Sequence, residues 1–180
     1  MNDNILIIKS DNICAKGRHP EDILSNRCNN DFCFEDVQCS SMESFLQSLK
    51  YQDIALQAKI CLEDANYLRP YDTSDWQKDQ VLWWKGEPVH RQSLKYIRLI
   101  YKAYNELYLW CGRFRDALMG SIGKELLYDT GCNDIHQSVQ TDNEFIRILS
   151  KLRERRKREY KLKIYPRLWP NWYGVNEDYE

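Results

Sequence analysis

Glu43, Gln47 and Lys50 stand at offsets of four and seven residues, within Ser40-Ser41-Met42-Glu43-Ser44-Phe45-Leu46-Gln47-Ser48-Leu49-Lys50. On a helix turning about 100° per residue, those offsets fall within roughly 40° of one direction. An acid, an amide and an amine therefore share one stripe, and Met42, Phe45, Leu46 and Leu49 gather on the other side. A carboxylate beside an amine suits proton transfer, or nucleophilic attack by a lysine whose pKa a neighbour or burial has lowered. By spacing alone the stripe equally describes a solvated face. Ser40-x-x-Glu43 also fits a capping box, which gives Glu43 a purely structural use.

The other elements must hold this helix in place. Ile5 to Lys9 reads as a first strand, and residues 11–30 as loop with a helical turn from Pro20. Phe32 to Cys39 reads as a second strand that leads straight into the helix, whose pattern runs on with a break to about Ala65. Pro70 ends it, Ser74 or Asp75 caps the next segment, and Trp76 to Trp84 reads as a short helix stopped by Gly86 and Pro88. Val89 to Cys111 carries the clearest helical period, with Leu94, Ile97, Tyr101, Tyr104, Tyr108 and Cys111 as its stripe and Ile100 and Leu107 beside it. Phe114 to Met119 reads as a short helix, 123–128 as a turn or strand, and Asp129 to Gln140 as loop. A last helix opens at the capping box Thr141-x-x-Glu144 and buries Phe145, Ile148, Leu149 and Leu152. Its basic second half leads to an aromatic, Pro-bearing tail around Tyr165 to Tyr173. The expectation is an α+β, mainly helical single domain with a small N-terminal β-sheet.

Composition narrows the chemistry. The chain has 180 residues, 43% of them hydrophobic, and a formal net charge of −1, enough for one core and without a global field toward nucleic acid or membrane. No apolar stretch nears the roughly 20 residues of a membrane helix, and the first residues lack a signal-peptide pattern, so a cytoplasmic protein without a membrane partner is expected. Seven cysteines contain no C-x-x-C pair, and His19, His90 and His136 are scattered, which predicts reduced thiols and no metal site. Glycine-rich phosphate loops, H-E-x-x-H and G-x-S-x-G are all missing from the sequence, and no cofactor is expected.

Several motifs in order change the weight of the stripe. Leu24-Ser25-Asn26, a Phe-bearing strand, and then Ser41-x-Glu43-x-x-x-Gln47-x-x-Lys50 resemble the NADAR (NAD- and ADP-ribose-associated), or YbiA-like, family of N-glycosidases. Trp84-x-Gly86-x-x-x-x-Arg91-x-Ser93, Phe114-Arg115-x-Ala117-Leu118, Gly123-Lys124-x-Leu126 and the helix from Thr141 to Arg153 look like one branch of that family. Ser44 stands where the family usually has His, and Arg27 where it has Phe. Cys132-Asn133-Asp134-Ile135-His136 occupies the place of a late G-x-N segment.

The resemblance implies a domain over residues 1–155, with 156–180 as a basic and aromatic extension. It implies hydrolysis of an N-glycosidic bond in ADP-ribosyl or ribosyl-phosphate substrates, with ADP-ribose removed from modified guanine in DNA as the leading expectation. Lys50 and Glu43 would be catalytic, and Ser25, Asn26, Gln47, Trp84, Arg91 and Asp134 would bind substrate. In that reading Asn26 meets a ribose hydroxyl, Arg91 a phosphate and Trp84 a stacked base. The partner is then ADP-ribosylated DNA or a ribosyl-phosphate small molecule. The rival reading is a non-catalytic module that binds ADP-ribose, nucleic acid or a host protein. The basic run Lys151 to Lys163 is the first candidate for a phosphate-backbone contact, against a solvated helix end. The small size and many asparagines would suit a phage protein working in host cytoplasm.

Overall fold

The structure is a computed structural model that describes residues 4–8, 18–65, 68, 75–128, 130 and 132–163. The expected break at Pro70, the Ser74 cap and the 165–173 tail lie outside the described residues. In chain order the elements are β1 (Ile5–Ile7), α1 (Pro20–Ile23), β2 (Phe32–Phe34), β3 (Val37–Cys39), α2 (Met42–Ser48), α3 (Ile54–Leu62) and α4 (Trp76–Asp79). They continue with β4 (Val81–Trp84), β5 (Glu87–His90), α5 (Leu94–Trp110), α6 (Gly112–Gly120), β6 (Glu125–Leu127) and α7 (Asp142–Lys163). The architecture is mixed α+β with helices dominant. Among the described residues the strands form three two-stranded sheets, β1 parallel to β6 and the hairpins β2–β3 and β4–β5.

Both hairpins turn through left-handed backbone. Glu35 (φ 46°) and Asp36 (φ 67°) close the first, so the single strand expected over 32–39 is two strands. Lys85 (φ 49°) and Gly86 (φ 79°) close the second, where a helix was expected over 76–84. The helix stops after one turn at Gln80 (φ 54°), and Val81-Leu82-Trp83-Trp84 goes on as a strand with Leu82 and Trp84 turned into the core. Branched and aromatic side chains in alternation fit a pleat better than a helix.

The long helix α5 begins at Leu94 rather than Val89, where the Ser93 side chain accepts from the Tyr96 backbone N–H. Its buried stripe is Tyr96, Ile100, Ala103, Tyr104, Leu107 and Tyr108, one step around from the expected one. Leu94 and Ile97 stay exposed, at 57% and 41%. The core joins this stripe to Phe32, Phe34 and Phe45 with Trp84, and to Phe145, Leu149 and Leu152 of α7. α7 runs unbroken through the boundary expected at residue 155. Its basic half also partly folds inward. Arg153 donates to the carbonyls of Ser121 and Lys124, closing the end of α6. Arg156 reaches Asn105 and Glu159 and lies over the Tyr108 ring, and Arg155 pairs with Glu159. These cations serve the fold. Among the described residues no helix is long and apolar enough to cross a membrane.

Candidate active site

Every side chain of α2 is buried except Glu43 and Gln47, which are half-buried. The helix is therefore not an amphipathic surface element with a wet face. It is packed all round, and its polar stripe opens into a cavity of about 390 Å³ lined also by Lys50, Asn26 and Arg27. Tyr128, Thr130, Cys132 and residues 137–142 also line it, with Leu46 and Phe145.

The true N-cap of α2 is Ser41, whose hydroxyl accepts from the Ser44 N–H at 3.0 Å. The capping box expected at Ser40 is thus shifted by one residue, and Glu43 has no part in it. Its carboxylate instead accepts from Gln47 Nε2 at 2.8 Å, along the stripe. Ser44, at the family's His position, points away from the cavity and donates to the Glu63 carbonyl. Lys50 lies just past the helix, after the C-cap Leu49. The Leu49 carbonyl accepts from Trp83 N–H, and Gln57 Nε2 donates to the carbonyls of Tyr51 and Trp83, so both neighbours of Lys50 are tied to β4. Burial pushes the Lys50 ammonium below the ordinary 10.5 of lysine, against an upward pull from the Glu43 charge.

Asn26 joins the site through its backbone and its side chain. Its carbonyl accepts from the Glu43 N–H at 2.8 Å, which fixes the loop to the first turn of α2. Its amide donates to Gln140 Oε1 and accepts from the Tyr104 hydroxyl at 2.6 Å. Tyr104 is fully buried, and burial raises its pKa well above the usual value, so it stays a donor. Tyr104→Phe should cost about 1–3 kcal/mol, the usual penalty for leaving a buried acceptor unmet. Urea unfolding measures the loss, and an unchanged midpoint would remove this network from the account.

The remaining expected site residues sit elsewhere. Ser25 is buried behind the loop, its hydroxyl accepting from the Arg27 N–H. Trp84 is a core residue, its ring 5.1 Å from Phe45 and 5.4 Å from Phe34, its Nε1 donating to Glu35. A stacked base cannot reach it there. Arg91 is 2% exposed and forms a two-pronged pair with Glu144 at 3.0 and 2.6 Å, while its Nε donates to the Ser138 carbonyl. Its positive charge is already matched, and it holds the cavity wall from behind. Asp134 lies exposed in the 134–138 turn, its carboxylate accepting from the His136 N–H. Sequence reasoning missed Arg27, Gln140 and Asp142 as cavity residues. Asp142 is buried and accepts from the Thr130 N–H and hydroxyl, each at 2.7 Å, which binds the wall to the start of α7. The one legible signal was the cation at Arg27, in place of an expected Phe. Among the described residues, no group of three His, Cys, Asp or Glu is placed to hold a metal ion.

Lysine burial of this kind costs stability. With the folded-state pKa below the unfolded one, folding disfavours the charged amine, fully so at any pH below the folded pKa. Lys50→Met should therefore raise the melting temperature at pH 7. The gain should shrink as pH climbs from the folded pKa toward 10.5. A melting temperature that falls at pH 7 would contradict a desolvated amine.

Comparisons with known proteins follow the same line. Residues 18–154 match the family model described as bacteriophage protein GP30.3. A 17.1 kDa protein from the Gp30-rIII intergenic region of enterobacteria phage T4 is 30% identical over 146 residues, which span 76% of this chain and 92% of the relative. The fold is similar to the NMR structure of the E. coli protein YbiA, with a TM-score of 0.58 at 15% identity, covering 89% of each chain.

Proposed function

The chain belongs to the bacteriophage GP30.3 family and has the YbiA-like fold, and on that premise we propose that it is an N-glycosidase acting on ADP-ribosyl or ribosyl-phosphate substrates. The favoured substrate is guanine-ADP-ribosylated DNA. The observation that carries this reading is a helix buried except for its Glu43–Gln47 stripe, which lines one cavity with the half-buried Lys50. A lysine whose charge burial disfavours, set beside a carboxylate in a cleft, is a candidate for chemistry.

The chemistry suits the groups. Breaking a ribosyl–nitrogen bond builds positive charge on C1 and the ring oxygen, which the Glu43 carboxylate stabilises. A neutral Lys50 can attack C1 as the bond to the base breaks and the base nitrogen takes a proton. The amine then gives up a proton, the ring oxygen leaves C1 as a hydroxyl, and an imine to Lys50 remains. Water adds to the imine and returns free ribosyl product and amine. Glu43 lines the same cavity as Lys50 and acts on its charge, so it is the group to carry the protons, and Gln47 orients the carboxylate.

The test is incubation of the protein with guanine-ADP-ribosylated DNA, followed by chromatography for free ADP-ribose, with sodium borohydride added to trap the imine on Lys50. Release of ADP-ribose supports the reading. Tight binding of ADP-ribose without release makes the protein a binding module instead. Release without a borohydride adduct removes Lys50 as nucleophile and leaves Glu43 as the acting group.

A further inference from the structure

Arg27 lines the same cavity from the loop between α1 and β2, and its charge is poorly used. Its Nε is buried without a hydrogen-bond partner. Its side chain donates to the Ala65 carbonyl at 3.4 Å, longer than a normal N–H···O bond. Among the described residues no carboxylate pairs with it. The acids of the cavity are engaged elsewhere, Glu43 with Gln47 and Asp142 with Thr130. A half-buried guanidinium with so few partners carries a desolvation cost that an anion would offset.

Its position gives the anion a place in the substrate. Asn26, the preceding residue, is bonded to Glu43 at the first turn of α2, whereas Lys50 follows the last turn. Seven residues of helical rise separate those ends, about 10 Å. We propose that Arg27 is a specificity-determining residue that holds a phosphoryl group of the substrate in the cavity that Glu43 and Lys50 also line. The proposal rests on the glycosidase reading for its substrate, but not for its measurement. A planar guanidinium donates two parallel N–H groups to phosphoryl oxygens, so the cavity selects ligands with an anion several ångströms from the reacting carbon. The usual Phe at this position would offer an apolar wall and no such selection.

Calorimetric titration of the full chain with inorganic pyrophosphate, ADP-ribose and adenosine, at several salt concentrations, tests this. Arg27→Gln should weaken pyrophosphate and ADP-ribose about tenfold to a hundredfold. It should flatten the salt dependence of both and leave adenosine unchanged. Arg27→Lys should restore part of the loss. Unchanged pyrophosphate affinity in Arg27→Gln overturns the proposal, as does a wild-type chain that binds neither anion, or an equal loss for adenosine. If the wild type binds pyrophosphate through Arg27 but frees no base from any ribosyl substrate, the anion site stands and the glycosidase reading falls.

Discussion

Lys50→Ala is expected to reduce release of ADP-ribose from guanine-ADP-ribosylated DNA to background, and Glu43→Gln to reduce it by about 10²–10⁴-fold. The second variant is nearly isosteric, and its amide oxygen can still accept from Gln47 Nε2, so the helix and cavity keep their geometry and only the charge is lost. Lys50→Arg is the sharper control. A guanidinium stays protonated at any accessible pH, so this variant keeps a cation in the cavity but no nucleophile, and it should be as inactive as the alanine variant. The double variant should be no slower than the worse single one, because the two groups act in one step. In the wild type the rate should rise with pH until Lys50 is neutral, at a pH below 10.5. Wild-type turnover in both Lys50→Ala and Glu43→Gln would end the assignment of residues.

Arg91→Ala is expected to lower both stability and substrate affinity, without touching the substrate. Removing the guanidinium leaves Glu144, in the first turn of α7, without its two-pronged partner and takes a donor from the Ser138 carbonyl. Breaking a buried pair from one side commonly costs about 3–5 kcal/mol. Glu144 is 32% exposed and can recover some hydration, so the lower end, about 3 kcal/mol, is the expected loss. For a chain of this size that is a fall of about 6–12 °C in melting temperature. Glu144 also accepts from the Thr141 N–H in the capping box of α7, which stays formed and should keep the helix start intact. The wall from Ser138 to Gln140 would loosen, so KM should rise more than kcat falls. A rise in KM with stability kept would return Arg91 to the substrate-binding role that sequence suggested.

The two variants separate kinds of legibility. The residues that face the cavity on α2 were readable because helical period fixes direction, and Glu43 and Gln47 point the same way in any helix. The start of α7 was readable because a capping box is a local exchange between two neighbours, and Thr141 and Glu144 make it as written. The same rule misplaced the start of α2 by one residue, since Ser40 and Ser41 both offer hydroxyls. Their surroundings chose, with Ser40 drawn off to the Glu63 carbonyl. The hairpin at Val81–His90 was hidden because a short aromatic run suits helix and strand alike, and only pairing between β4 and β5 decides.

By itself the sequence determined the start of α7 and that an acid, an amide and an amine share a stripe. Tertiary structure alone decided that this stripe lines a cavity rather than an open face, because the cavity depends on residues 137–142, which are far away in the chain. It also decided which cations are spent. Arg91 finds Glu144 53 residues on, while Arg27 finds no carboxylate among the described residues, and no spacing rule separates the two. The physical reason is that local period sets direction, whereas desolvation and charge pairing depend on what arrives opposite, and that is fixed only when the chain closes on itself.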